Sequence, residues 1–287
     1  MSQENILSPG PAIGDSLPPP YSEYDQIHDR VSTEQAPQYE VPHFNNSTSG
    51  STRLQAATNK FPPTMNGYFP LKLSPQFHLG PTASEKLYTM SIDVQHRKSK
   101  QTMILHDGPT DKHPPLASVE SDPYLRSRPV LVTFASQGEL QENSNVEPLE
   151  GVKTYKRMSP TFSIPVGASG KDAPCEQFQW RSSHGKEIKE LAGHTSGWKL
   201  VRLSETVGET GGSRSHRAMG CSSDGKEIVA VIAHNASWSL SKGFRFAFVG
   251  SGLTGVMGEK WEIMTVITGV YLWLVEFQIA TRAIPIA

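Results

Sequence analysis

A chain of 287 residues with a formal net charge of −1 and 36% hydrophobic residues is long enough for one large β domain or two ordinary ones, yet too polar to pack along its whole length. The balance hides a split: residues 1–60 carry three Lys/Arg against seven Asp/Glu, and the remainder 24 against 21. That mild excess excludes the clustered cations of a nucleic-acid footprint. The two cysteines, Cys175 and Cys221, exclude a disulfide framework and point to a reducing, cytoplasmic setting.

Residues 1–64 are rich in Pro, Ser, Gln, Asn and acid with no sustained hydrophobic period, and are expected to form a disordered tail. The first ten residues have neither the basic nor the apolar stretch of a secretory signal, so none is expected. Within the tail, Pro18, Pro19, Pro20 and Tyr21 read as Pro-Pro-x-Tyr. A short polyproline II segment ending in an aromatic ring is the shape that WW-domain grooves accept at small entropic cost. The partner implied is a WW-domain protein such as a ubiquitin ligase.

Order is expected from near Gly67 to Pro70, and from there the period is two. Tyr88, Met90, Ile92 and Val94 alternate with Thr89, Ser91 and Asp93, the pattern of a half-buried strand. A basic turn, His96 to Lys100, leads into Met103, Ile104 and Leu105, which stop at Asp107 and Gly108, predicting a hairpin. Its tip, Arg97, Lys98 and Lys100, is read first as a solvated basic turn and, as the alternative, as a set of contacts for an anionic lipid surface. Further strands are predicted over 116–119, 130–134, 162–166, 178–180, 198–203, 228–232 and 244–248, while 139–151 reads as a polar, acidic loop. Strands at this spacing form a sandwich or a barrel.

Residues 261–280 then read as one helix, apolar almost all round. Its longest run without a charge, Ile263 to Val275, is 13 residues, shorter than the roughly 20 needed to span a bilayer. Glu276 and Gln278 interrupt its second half. The expectation is a core helix of about 261–281 inside a closed antiparallel barrel; the alternative is a membrane element.

Chemistry-bearing motifs are sparse. Gly250, Gly252 and Gly255 match G-x-G-x-x-G, but only 32 residues follow, too few to complete a nucleotide-binding sheet, so they are read as a flexible turn that lets the chain double back into the barrel. His184, His194, His216 and Cys221 have no zinc spacing, and no nucleophile–base pair stands out. Trp180, Trp198, Trp238, Phe244, Phe246 and Phe248 are read as core, with Arg245 on the opposite face of its strand. No cofactor is expected, and a non-enzymatic binding protein is the reading the residues favour.

Three segments carry a resemblance. Phe178, Trp180, Arg181, His184, Gly185 and Glu187, then Gly197 through Leu203, and Gly258 through Glu262 resemble fungal proteins with a tubby C-terminal-like domain, related in fold to the LURP-one and phospholipid-scramblase proteins. The resemblance covers about 68–281. It implies a twelve-stranded barrel threaded by a hydrophobic C-terminal helix, and a module that contacts phosphoinositides or a protein partner. A scramblase-like, membrane-inserted protein anchored by that helix is its second implication.

Overall fold

The computed structural model describes residues 59–69, 75–95, 100–122, 129–135, 145–152, 158–167, 173–192, 196–206, 220–234 and 242–282. The Pro18–Tyr21 motif, Arg97, Lys98, His194, His216 and Trp238 lie outside them. Twelve strands follow in chain order: β1 (Thr64–Tyr68), β2 (Gln76–Gly80), β3 (Tyr88–Gln95), β4 (Lys100–His106), β5 (Pro115–Ser121), β6 (Val130–Phe134), β7 (Val146–Leu149), β8 (Thr161–Pro165), β9 (Cys175–Ser183), β10 (Gly197–Thr206), β11 (Lys226–His234) and β12 (Lys242–Phe248). Helix α1 (Lys186–Ala192) interrupts the β9–β10 connection, and α2 (Glu259–Arg282) closes the described chain.

Every sheet neighbour is antiparallel, and the order β7-β6-β5-β4-β3-β2-β1-β12-β11-β10-β9-β8 is a meander whose first and last strands are brought together by β1–β12 pairing. The two remaining edges, β7 and β8, meet where Glu150 and Thr161 exchange backbone hydrogen bonds of 2.9 and 3.0 Å. Closure removes the exposed edges that would otherwise invite further pairing. The expected barrel is therefore present, with α2 inside it.

Alternation decides which side chains enter. Phe77, Leu79, Met90, Met103, Leu105, Val119, Val132, Phe162, Ile164, Phe178, Trp180, Leu200, Ile232, Phe244 and Phe246 all point into one buried cluster with α2. Because the strands surround the helix, every residue over 261–275 is buried, which is why no polar stripe interrupts its sequence. The fit is specific at the centre. Trp180 donates its Nε1–H to Thr268 Oγ1 at 2.9 Å, and Thr268 Oγ1 in turn donates to the Met264 carbonyl at 2.6 Å. Next to it Gly269 lets the indole approach: a Cβ there would lie 3.1 Å from Trp180 Cη2 and Cζ2. A satisfied hydroxyl and a missing side chain thus make a notch for one ring.

The entry to α2 is built at the opposite strand ends from its exit. A 3-10 turn (Gly250–Leu253) follows β12, and Glu227 accepts from Ser251 N at 2.7 Å and Ser251 Oγ at 2.9 Å. Gly258, at φ +86°, adopts a left-handed conformation that side chains resist, and the chain turns into α2. The glycine cluster read as a doubling-back turn does so, and is pinned rather than loose. Among the described residues Phe61 is already packed, 2% exposed. The buried Glu262 carboxylate explains it, accepting from Lys60 N at 2.8 Å and Phe61 N at 3.2 Å.

β1 and β2 were not among the predicted strands, and two further elements differ from expectation. The acidic segment 139–151 contains β7, because the backbone of 146–149 pairs with β6 although only Leu149 is buried. Pro148 is tolerated on such a terminal strand, where one ladder hydrogen bond is dispensable. Helix α1 was not expected. It lies on the outer wall, where Ile188 covers Ile228, Val231, Ala233 and Ala247, a small second cluster.

Candidate functional site

The barrel lumen is occupied by the chain's own helix, so chemistry must be sought on the outer wall and at the two ends. Inward-facing polar residues at the end where α2 enters are mutually satisfied. Arg202 chelates the Glu176 carboxylate through Nε and Nη2, Ser204 Oγ donates to Glu176 at 2.6 Å, and Arg202 Nη1 stands 3.7 Å from Glu227. Hydrogen bonding from Arg202 holds the Glu176 carboxyl below its usual range against the opposing effect of burial. This network ties β9, β10 and β11 to the turn before α2.

The outer faces of β9 and β10 carry a second ionic set. Arg181 donates through Nη1 to both Asp224 oxygens, at 2.9 and 3.0 Å, and through Nε to Gln179 Oε1 at 2.7 Å. Lys199 Nζ and Ser183 Oγ both donate to Glu187 Oε1, at 3.0 and 2.6 Å. Burial alone would raise the Glu187 carboxyl, but these two donors outweigh it and the net direction is down. Arg181 and Glu187, two of the residues carrying the sequence resemblance, belong to this set.

Of the three cations proposed from the β3–β4 hairpin, only Lys100 is described, and its ammonium lies 2.7 Å from Glu120. The structure therefore offers a neutralised lysine at the one position it describes. Among the described residues no group of three or more His, Cys, Asp or Glu could hold a metal.

A basic pair that sequence reading did not select stands on β12. Phe244, Phe246 and Phe248 face the lumen, as expected, and Arg245 faces out. Its cross-strand neighbours are Asn66 on β1 and Ala233 on β11, while Lys242 is level with Tyr68. Burial, reinforced by the charge of Arg245, lowers the Lys242 pKa. Arg245 makes no ion pair among the described residues, and its buried Nε–H has no acceptor. Beside it, Asn66 spends its amide Nδ2 on the Pro81 carbonyl at 2.8 Å and leaves a buried Oδ1 unsatisfied. Tyr68, stacked on His78 at 5.6 Å, continues the same outer face. A buried donor without an acceptor costs free energy, and an oxyanion would supply one. Strict alternation would put Lys242 on the lumen side with Phe244, and it is the register shift opposite Gly67 and Tyr68 that brings it to the face of Arg245.

Comparison with known proteins adds no relative, since no family model, curated protein or solved structure matches this chain.

Proposed function

We propose that this chain is a binding and recruitment module whose barrel engages anionic, phosphorylated lipid headgroups through Lys242 and Arg245 and whose tail recruits WW-domain proteins through Pro18–Tyr21. The observation that carries the barrel's part is on the outer wall of β12, where burial, reinforced by the charge of Arg245, lowers the Lys242 pKa and, among the described residues, the buried Arg245 Nε–H finds no acceptor. A phosphate relieves both conditions at once, by adding negative charge and acceptor oxygens. The resemblance to tubby C-terminal-like domains agrees with this reading, and the lumen filled by α2 directs ligands to the exterior.

Flotation with phosphatidylcholine vesicles, with and without phosphoinositide, tests it. Wild-type chain floats with the phosphoinositide vesicles, and Lys242→Glu combined with Arg245→Glu stays behind. Indifference to headgroup charge, or equal flotation of the double variant, overturns the lipid half. Deleting residues 18–21 abolishes capture by an immobilised WW domain; unchanged capture removes the other half.

The second reading, a scramblase-like protein inserted through α2, draws on one observation: Glu259–Ala280 is long and apolar enough to cross a membrane. That helix has to leave the barrel to do so, and it would strand the apolar side chains that line the lumen, at about 1.5–3 kcal/mol each for full exposure. Extraction at alkaline pH separates the two readings, because a barrel-enclosed helix leaves the protein in the supernatant.

A further inference from the structure

A serine and a histidine meet on the outer wall, away from the basic pair of β12. Alternation sends Met90 of β3 and Met103 and Leu105 of β4 into the lumen, so Thr89, Ser91, Ile104 and His106 face out. His106 stands directly opposite Thr89, and Ile104 opposite Ser91. The imidazole of His106 leans along β3, with its Nε2 2.8 Å from Ser91 Oγ and its Nδ1 3.0 Å from the His113 carbonyl. A carbonyl oxygen only accepts, so Nδ1 carries the ring proton and Nε2 is left to accept from the serine hydroxyl. A base that faces a hydroxyl and is oriented on its far side by a third group is the arrangement that activates a serine.

The surrounding chain shelters the pair. After His106 the β4–β5 connection folds back over the wall, where Asp111 accepts from Gln76 Nε2 of β2 at 2.7 Å and so reaches across β3. On this face His106 is 7% and Thr89 4% exposed, while Ser91 is only half-buried. Thr89 Oγ1 is buried and has no hydrogen-bond partner among the described residues. Such a hydroxyl costs free energy as it stands and is a donor in reserve, which is what an oxyanion forming beside Ser91 requires. Ile104, opposite Ser91, gives a short apolar chain a side chain to pack on.

The geometry points to Ser91 as a nucleophile for acyl transfer from a short-chain carboxylic ester. His106 is its general base, the His113 carbonyl orients the base, and the Thr89 hydroxyl donates to the oxyanion. Ser91 Oγ adds to the ester carbonyl carbon as its proton passes to His106 Nε2. The bond to the alcohol oxygen then breaks, and that proton leaves with it as the free alcohol. Water gives a proton to the same nitrogen as it attacks the acyl-serine, and the carboxylic acid departs as Ser91 Oγ takes that proton back. This activity goes beyond the recruitment reading and does not depend on it.

The test offers the full chain a fluorophosphonate and, separately, p-nitrophenyl acetate. Folded wild type is phosphonylated on Ser91, located by peptide mass spectrometry, and releases p-nitrophenolate, whereas wild type unfolded in urea is not labelled. Ser91→Ala abolishes the label and reduces release to that of the unfolded chain. His106→Gln lowers both rates at least about a hundredfold, and Thr89→Val lowers them about tenfold or more. No label on Ser91, equal labelling of folded and unfolded chain, or a folded His106→Gln as fast as wild type overturns the proposal. An unchanged Thr89→Val rate overturns the oxyanion role of Thr89. Near-UV circular dichroism checks the fold of each variant, and where His106→Gln is misfolded, the comparison of folded and unfolded wild type decides.

Discussion

The inner and outer faces of the same strands obey different rules. On β12, Phe244, Phe246 and Phe248 fill the lumen against α2, while Lys242 and Arg245, a residue or two away, face out. Inside, shape is decisive: Trp180 sits in a notch made by Thr268 and Gly269. Outside, charge pairs such as Arg181–Asp224 and Lys199–Glu187 are individually replaceable and partly wetted. The difference teaches where stability and function reside: a lumen filled this closely leaves binding to the wall and the ends.

The comparison breaks if inner substitutions prove cheap. Trp180→Ala removes a buried indole packed against α2 together with the N–H that Thr268 Oγ1 accepts, and is expected to cost about 3–5 kcal/mol in chemical denaturation. Gly269→Val pushes two methyl groups against that same ring and is expected to cost about 1–3 kcal/mol.

The clasp between residues 60–61 and α2 sharpens the comparison, because it places a carboxylate on the inside. Glu262→Ala leaves the buried Phe61 N–H without an acceptor and is expected to cost about 1–3 kcal/mol. Burial raises the Glu262 carboxyl, and the two backbone donors offset this only in part. A carboxyl raised on folding contributes stability that is complete below its ordinary value, near 4.3, and is lost as pH rises through the folded value. Glu262→Gln keeps an acceptor and lacks that slope, so melting curves from acidic to neutral pH separate charge burial from hydrogen bonding.

How much of this was legible in the sequence follows from the same division. Inward faces announce themselves by period: the alternation from Tyr88 to Val94 and the all-round apolar run after Trp261 led directly to β3, to α2 and to a barrel around it. Elements held by backbone pairing or by a shallow contact do not. β7 buries one side chain, and α1 covers its cluster chiefly through Ile188, so neither produces a period. The outer basic pair was hidden for a third reason. Lys242 and Arg245 are three apart, and a shift in register between Gly67 and Tyr68 accompanies their common side, which simple alternation does not foresee.

The smallest expected effect lies on the outer wall. Hydrogen bonds from Arg181 hold the Asp224 carboxyl down at about 2, against a weaker upward push from burial. A carboxyl depressed on folding stabilises above its ordinary value, about 3.9, and that contribution disappears as pH falls through the folded value. Its side chain is 44% exposed, so solvent screens most of the gain, and Asp224→Asn is expected to cost about 0.2–1 kcal/mol at neutral pH. The deficit relative to wild type should shrink in molar salt and vanish near pH 2, read from paired denaturation curves. A loss approaching that of Trp180→Ala would mean that the wall's ion pairs hold the barrel together as its lumen does, and would erase the distinction between the two faces.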